Sequence, residues 1–293
     1  MTTAIEDIIK QVDDLVSLPG VFVRINEMIE SEGSSAANIA TVISQDPGLT
    51  IRLLRVANSP FYGLSKEVDS VSRAITIIGT QRLRDMVLAT SAVEVFEGIP
   101  NELVTMDDFW SHSLLCGIIA KNLAELSGIK ESDSLFIAGL LHDVGQLIMF
   151  RHFPEASTKV LLRELDQVDE PEITESENEI IGFDHAQLGG ALIAHWHLPA
   201  IFVETITYHH TPEQATNFPK HTSIVHIANT LAVLAELNTL NIEETDAPPI
   251  HSGAWETAGL KAEVIKPVIM AARQEFESMR ALFLPTEIQA TPT

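Results

Sequence analysis

Leu135-Phe136-Ile137-Ala138-Gly139-Leu140-Leu141-His142-Asp143-Val144-Gly145 is an apolar run that ends in an imidazole and a carboxylate. Read with a helical period, Leu135, Ala138, Gly139 and His142 fall on one stripe, so His142 points inward with them. Asp143 follows directly, and Gly145 is suited to end the helix. The run lacks the alternation of a half-buried strand. The expectation it sets is a helical chain that carries polar chemistry on buried faces.

Three other places repeat the pattern. His112 shares a helix face with Leu115, Cys116, Ile119 and Leu123. His185 shares one with Leu188, Gly189, Leu192 and Trp196. His209 and His210 stand before Thr211-Pro212, where a helix would stop. A single core histidine is ordinarily a neutral side chain bonded to a carbonyl. Several together, with a carboxylate, must all find partners or bear desolvation costs of about 1–3 kcal/mol each. One divalent cation satisfies them at once. Imidazole suits Zn, Fe, Mn or Ni, and it must be neutral to bind, so acid should empty such a site.

The remaining chain reads as helix after helix, with few strand signals. Helices are expected near Ile5–Val16, Val21–Ile29 and Ser34–Ile43, then from Asp46-Pro47, where Asp caps and Pro suits the first turn. That helix stops at Asn58-Ser59-Pro60, and Ser70–Ile78, Gly79 and Gln81–Val95 read as helix, tight turn, helix. Further helices are expected near Phe109–Leu126, Ser134–Asp143, His152–Leu165, Ser176–Ile181, Asp184–Trp196, Ile201–His209, Thr222–Leu237 and Lys261–Leu282. Gly98-Ile99-Pro100-Asn101 divides a first lobe, 1–99, from a histidine-bearing lobe, 100–240, with a C-terminal extension over 241–293. Asp166 to Glu179 holds acidic residues and no basic one, the composition of an exposed, solvated connection. The tail from Pro285 reads as frayed.

The 293 residues carry 18 basic and 41 acidic side chains, a net charge of −23. Such a field repels nucleic acid and anionic lipid and favours basic or neutral partners. One cysteine, Cys116, excludes an intrachain disulfide and fits a cytoplasmic location. Neither a signal peptide nor an apolar run of the ~18 residues that spans a bilayer is expected.

The motifs together resemble a known family. Leu141-His142-Asp143-Val144-Gly145, with His112 upstream, resembles the HD superfamily of metal-dependent phosphohydrolases, and His185 with His209-His210 resembles the larger ligand set of its HD-GYP branch. Leu18-Pro19, Gln45-Asp46-Pro47-Gly48-Leu49, Leu53-Leu54-Arg55-Val56-Ala57-Asn58-Ser59 and Ala74-Ile75 with Gly79 are similar to the first lobe of the HDOD family. Gly182-Phe183-Asp184-His185, Gly189 and Trp196-His197-Leu198-Pro199 are similar to its second, so the resemblance runs from about Val16 to Leu237. It implies a two-lobed all-α signalling protein, catalytically degenerate, with a divalent metal held by His112, His142, Asp143, His185, His209 and His210. A protein partner in a signalling pathway and a nucleotide ligand are implied as well, without DNA or membrane.

Departures from the enzymes point the same way. Asn229 stands where they carry a metal-binding aspartate; its amide is a neutral, weaker ligand. Gln146 stands where active HD-GYP enzymes resemble His-Asp-x-Gly-Lys, and Thr211-Pro212-Glu213 follows the histidine pair in place of Gly-Tyr-Pro. In an active relative Asp143 would serve catalysis, bridging metals or orienting water.

Several weaker features carry bland readings. The segment around Arg73, Gly79, Arg82 and Arg84 superficially resembles a helix-turn-helix, but Leu83, Met86, Val87 and Leu88 mark it as core. Arg52 and Arg55 read as a solvated face, His195 and His197 as surface or packing residues, and Cys116 as core. His226, three before Asn229, shares its face and could support the ligands from outside.

Overall fold

The computed structural model describes residues 5–11, 18–31, 35–64, 67–96, 104–130, 132–166, 173–236 and 250–284. Regular structure among them is helical throughout, as expected. The helices are residues 5–11 (α1), Gly20–Glu30 (α2), Ala36–Ser44 (α3), Pro47–Ala57 (α4), Val71–Ile78 (α5), Thr80–Val95 (α6), Met106–Leu126 (α7), Ser132–Leu141 (α8), Val144–His152 (α9), Pro154–Asp166 (α10), Ile173–Ile180 (α11), His185–His195 (α12), Ala200–Thr207 (α13), Pro219–Glu236 (α14), Ser252–Ala258 (α15) and Ile265–Phe283 (α16).

Local chemistry explains many of the starts. The side chains of Ser35, Asp46, Thr105 and Asp184 accept hydrogen bonds from the amides of Asn38, Leu49, Asp108 and Gln187, so each satisfies an orphan donor of a first turn.

The chain forms two compact units. One comprises Pro19–Glu94 with Arg273–Thr293; the other comprises Met1–Leu18 with Val95–Ala272. The first 18 residues and the stretch up to Ala272 therefore group with the histidine-bearing lobe, which differs from the expected tripartite division. The expected boundary at Gly98–Asn101 and the tail from Pro285 lie outside the described residues.

Within the unit of Pro19–Glu94, α3 packs on α2, α4 and α5, around Phe22, Ile25, Ile39, Ile43, Leu49 and Leu53. Arg52 pairs with Glu94 at 2.7 Å, so it is an ion-paired side chain on a half-exposed face. Leu83, Met86, Val87 and Leu88 of α6 are fully buried, as the sequence indicated.

In the unit that carries the histidines, α7 lies between α8 and α14. Gly117 of α7 and Gly139 of α8 let the backbones touch: a Cβ on Gly139 would stand 2.8 Å from the Gly117 Cα. This approach brings the faces of His112 and His142 together.

The structure corrects three local readings. Gly145 does not end a helix; Asp143 stands at the N-cap of α9, which begins at Val144. The acidic run through Glu179 is not all solvated: Ser176 and Glu177 of α11 are buried. The C-terminal extension, for which one helix near Lys261–Leu282 was expected, holds a second before it, α15, packed on α14. Hydropathy also marks Ser132–His152 as long and apolar enough to cross a membrane, contrary to expectation, but the stretch breaks at His142-Asp143 and is mostly buried in the protein.

Candidate metal centre

Six expected ligands converge. His142, His185 and His209 are fully buried, Asp143 is nearly so, and the His112 side chain is 18% exposed. His142 follows α8, Asp143 stands at the N-cap position of α9, His185 opens α12, and His209-His210 follow α13. Four helix termini thus meet where short side chains suffice to reach a common point.

The ligand atoms form two overlapping groups. One holds Asp143, His185, His209 and His210; the other holds His112, His142 and Asp143, with all ligand atoms of each group within 4.8 Å of one another. Asp143 serves both. Its Oδ1 lies 3.1 Å from His185 Nε2 and 3.4 Å from His209 Nε2, and its Oδ2 lies 3.0 Å from His142 Nε2.

Outer hydrogen bonds fix the rings. Nδ1 of His142 donates to the Gly139 carbonyl at 2.7 Å, and Nδ1 of His209 donates to the Ile206 carbonyl at 2.8 Å. Nδ1 of His185 donates to Glu177 Oε2 at 2.7 Å, and the same oxygen accepts the His185 amide at 2.9 Å. In the neutral tautomer each ring then turns an Nε2 lone pair inward. These lone pairs face acceptors: His185 Nε2 stands 3.4 Å from His209 Nε2 and 3.1 Å from His210 Nε2. His142 Nε2 and Asp143 Oδ1 are buried and lack an aligned hydrogen-bond partner.

Such a set fits a cation. Four ligands at the usual zinc–nitrogen distance of about 2.0–2.1 Å sit about 3.3 Å apart at tetrahedral angles. The four edges measured among Asp143, His185, His209 and His210 run from 3.1 to 3.4 Å. The N and O donor set suits Zn, Fe, Mn or Ni, as the sequence indicated.

Without a cation, protons fill the pocket unevenly. Burial disfavours the His185 cation, but Glu177 and Asp143 outweigh it and push His185 up to about 10. His142 rises as well, because Asp143 and Cys116 overcome its burial. Burial also works against ionised Asp143, yet the histidines around it hold its carboxyl well below the usual range. His209 is pushed down to about 4, chiefly by burial, and His210 also falls through burial and its histidine neighbours.

Asn229 and His226 take distinct places. Asn229 Oδ1 lies 2.9 Å from His112 Nε2, while Nδ1 of His112 meets Glu236 Oε1 at 2.9 Å. His226 stands outside the ligands: its Nδ1 donates to the His209 carbonyl at 2.8 Å, and its Nε2 accepts the His251 amide at 3.1 Å. The residue thus ties the backbone of the histidine pair to the segment before α15. His195 is half-buried and His197 exposed.

Two contributors escaped the sequence reading. Glu177 lay in an acidic run, and its i+8 relation to His185 matches no helical period. Glu236 is detectable only as the residue two turns after Asn229 on one helix face. Replacing Glu177 with glutamine is expected to weaken metal binding by roughly 10–100-fold, the usual effect of losing a carboxylate behind a ligating histidine. Chelator competition on the folded variant measures it; a dissociation constant within twofold of the parent would refute the role.

An all-helical protein with a shared histidine–aspartate centre is the class that fold and site define. The HDOD domain matches residues 15–212, and the chain belongs to that family. An HDOD domain protein of unknown function from Geobacter sulfurreducens has a similar fold, with a TM-score of 0.74, 23% identity and coverage of 97% of this chain and 100% of that one. A candidate phosphohydrolase from Shewanella amazonensis SB2B gives a TM-score of 0.74 and 23% identity over 94% of this chain and 97% of its own. A candidate signal transduction protein from Marinobacter aquaeolei VT8 gives 0.69 and 18% identity over 93% of this chain and 61% of its own. An uncharacterised protein of Treponema pallidum (strain Nichols) is 28% identical over 222 residues, 75% of this chain; the match spans 42% of that protein's length.

Proposed function

We propose that the chain is a signal-transducing HDOD protein whose histidine–aspartate centre holds a divalent cation without turning over a phosphodiester. The observation that carries this reading is the contrast between a well-formed ligand cluster and the groups that back it. Glu177 and Glu236 touch the ligands from outside, and Asn229 meets the inner nitrogen of His112 with a neutral amide. A phosphoryl substrate brings negative charge, which a catalyst meets with cationic donors. Gln146 is neutral, and it lines a small apolar recess beside Met149, Phe150 and Glu177. When bound, the metal would supply Lewis acidity and a more acidic water. The chain's own part is to orient the imidazoles and keep water from Asp143.

The output proposed for such a protein is a contact with a signalling partner protein. The net charge of −23 favours a basic or neutral face on that partner and works against nucleic acid. A second reading, hydrolysis of a nucleotide or cyclic dinucleotide, is favoured by one feature: two ligand groups sharing a carboxylate, the pattern of two-metal hydrolases.

The two readings separate on the purified chain. Metal content is measured first, then hydrolysis of bis-p-nitrophenyl phosphate and of a cyclic dinucleotide with Mn(II) or Fe(II). Bound metal with turnover no higher than in His142→Ala is the expected result. Robust turnover that His142→Ala abolishes would establish the hydrolase instead.

A further inference from the structure

We propose that the centre keeps one divalent ion, in the half formed by Asp143, His185, His209 and His210, and that α14 holds the other half closed through His112. The inference rests on the reading that the chain binds a divalent metal at all.

The two halves differ at one ring, His112; His142 is held like the rings of the other half, its Nδ1 bonded to the Gly139 carbonyl. His185 and His209 have the outer nitrogen bonded away and the inner one aimed at the shared space. His112 has both nitrogens engaged by one helix: Nδ1 by Glu236 and Nε2 by Asn229, each at 2.9 Å. Asn229 and Glu236 are seven residues apart, two turns along α14, so they grip the ring from the same face. A metal in this half must compete with the Asn229 amide for Nε2.

Charge works in the same direction. The two groups share one carboxylate, Asp143. Two dications about 3.5–4 Å apart, the usual spacing of paired sites, repel strongly unless bridging anions offset them. Asn229 supplies no negative charge. Glu236 does, but its carboxylate faces the outer nitrogen of His112 and not the shared space. The four-residue half has the carboxylate, three imidazole nitrogens at ligand-edge distances, and a second carboxylate behind His185. One ion is therefore the occupancy that the donor set and its charge support.

The test is metal stoichiometry on the full chain, by equilibrium dialysis against Zn(II) or Co(II) followed by elemental analysis. One ion per chain is expected. His210→Ala and His209→Ala should lower its affinity by at least 100-fold, whereas His112→Ala and the milder Glu236→Gln should change it less than fivefold. Asn229→Asp, which returns a carboxylate to the closed half, should raise the stoichiometry toward two. Two ions in the parent chain would overturn the inference and leave the metal-binding reading intact. Loss of the ion in both His112→Ala and Glu236→Gln, with helical circular dichroism retained, would overturn it as well. No ion in the parent chain would instead remove the reading beneath it.

Discussion

Replacing Asp143 with alanine is expected to strip the centre of its cation and to cost the metal-free protein about 3–5 kcal/mol near neutral pH, the usual penalty for leaving a buried charge without its partner. Asp143 is the carboxylate common to both ligand groups, and its two oxygens contact His142, His185 and His209. In the metal-free protein it also balances the protons that His142 and His185 retain. The sign of the pH dependence follows. His185 is pushed up to about 10, so its contribution to stability is fully present below its ordinary value near 6.5 and is lost as pH rises through about 10. Asp143 is held down, so its own contribution is present above the ordinary carboxylate range and disappears as pH falls below it.

Metal reverses the slope on the alkaline side. Ligation needs neutral imidazoles, so uptake at neutral pH must expel the proton on His185, and affinity must rise with pH. Urea denaturation of the metal-free parent at pH 6.5 and 9 should show lower stability at the higher pH, and Asp143→Ala should lose most of that difference. An unchanged slope, or metal affinity within tenfold of the parent, would show that Asp143 does not hold the centre together.

How much of this was legible depends on where each residue's partner lies. His112, His142 and His185 announce themselves because an imidazole on an apolar stripe must find its hydrogen-bond or metal partner inside the protein, and the stripe needs only the helical period to be seen. The cap Asp46 is equally local, since its side chain bonds an amide three residues on. Glu177 and Glu236 were invisible for the opposite reason. Each looks like a surface acid, and each is defined by a ring that only the tertiary fold brings to it. The start of α9 was misread because glycine after a polar pair ordinarily stops a helix. Here Gly145 lies inside a helix and serves packing against α12.

Gly145→Ala tests that packing, and its expected effect is large for a residue that is not itself a ligand. A Cβ on Gly145 would stand 2.0 Å from the His185 carbonyl oxygen and 2.7 Å from the Gly189 amide nitrogen. Both obstacles are backbone, so no rotamer change relieves them and α9 must move off α12. Asp143 stands at the N-cap position of α9 two residues earlier, and His185 is the first residue of α12, so the movement pulls apart two ligands that stand 3.1 Å from each other. Overpacking of this kind costs about 1–3 kcal/mol, which for a chain of this size lowers the melting temperature by several degrees. Affinity for the ion should fall by more than tenfold, because misplaced ligands cannot close on it. Gly20→Ala is the control. A Cβ there meets nothing within 4 Å, so the change should leave stability equal or raise it by about 0.4–1 kcal/mol through the unfolded chain. If Gly145→Ala melts with the parent and keeps its ion, the contact between α9 and α12 is not what sets the distance from Asp143 to His185.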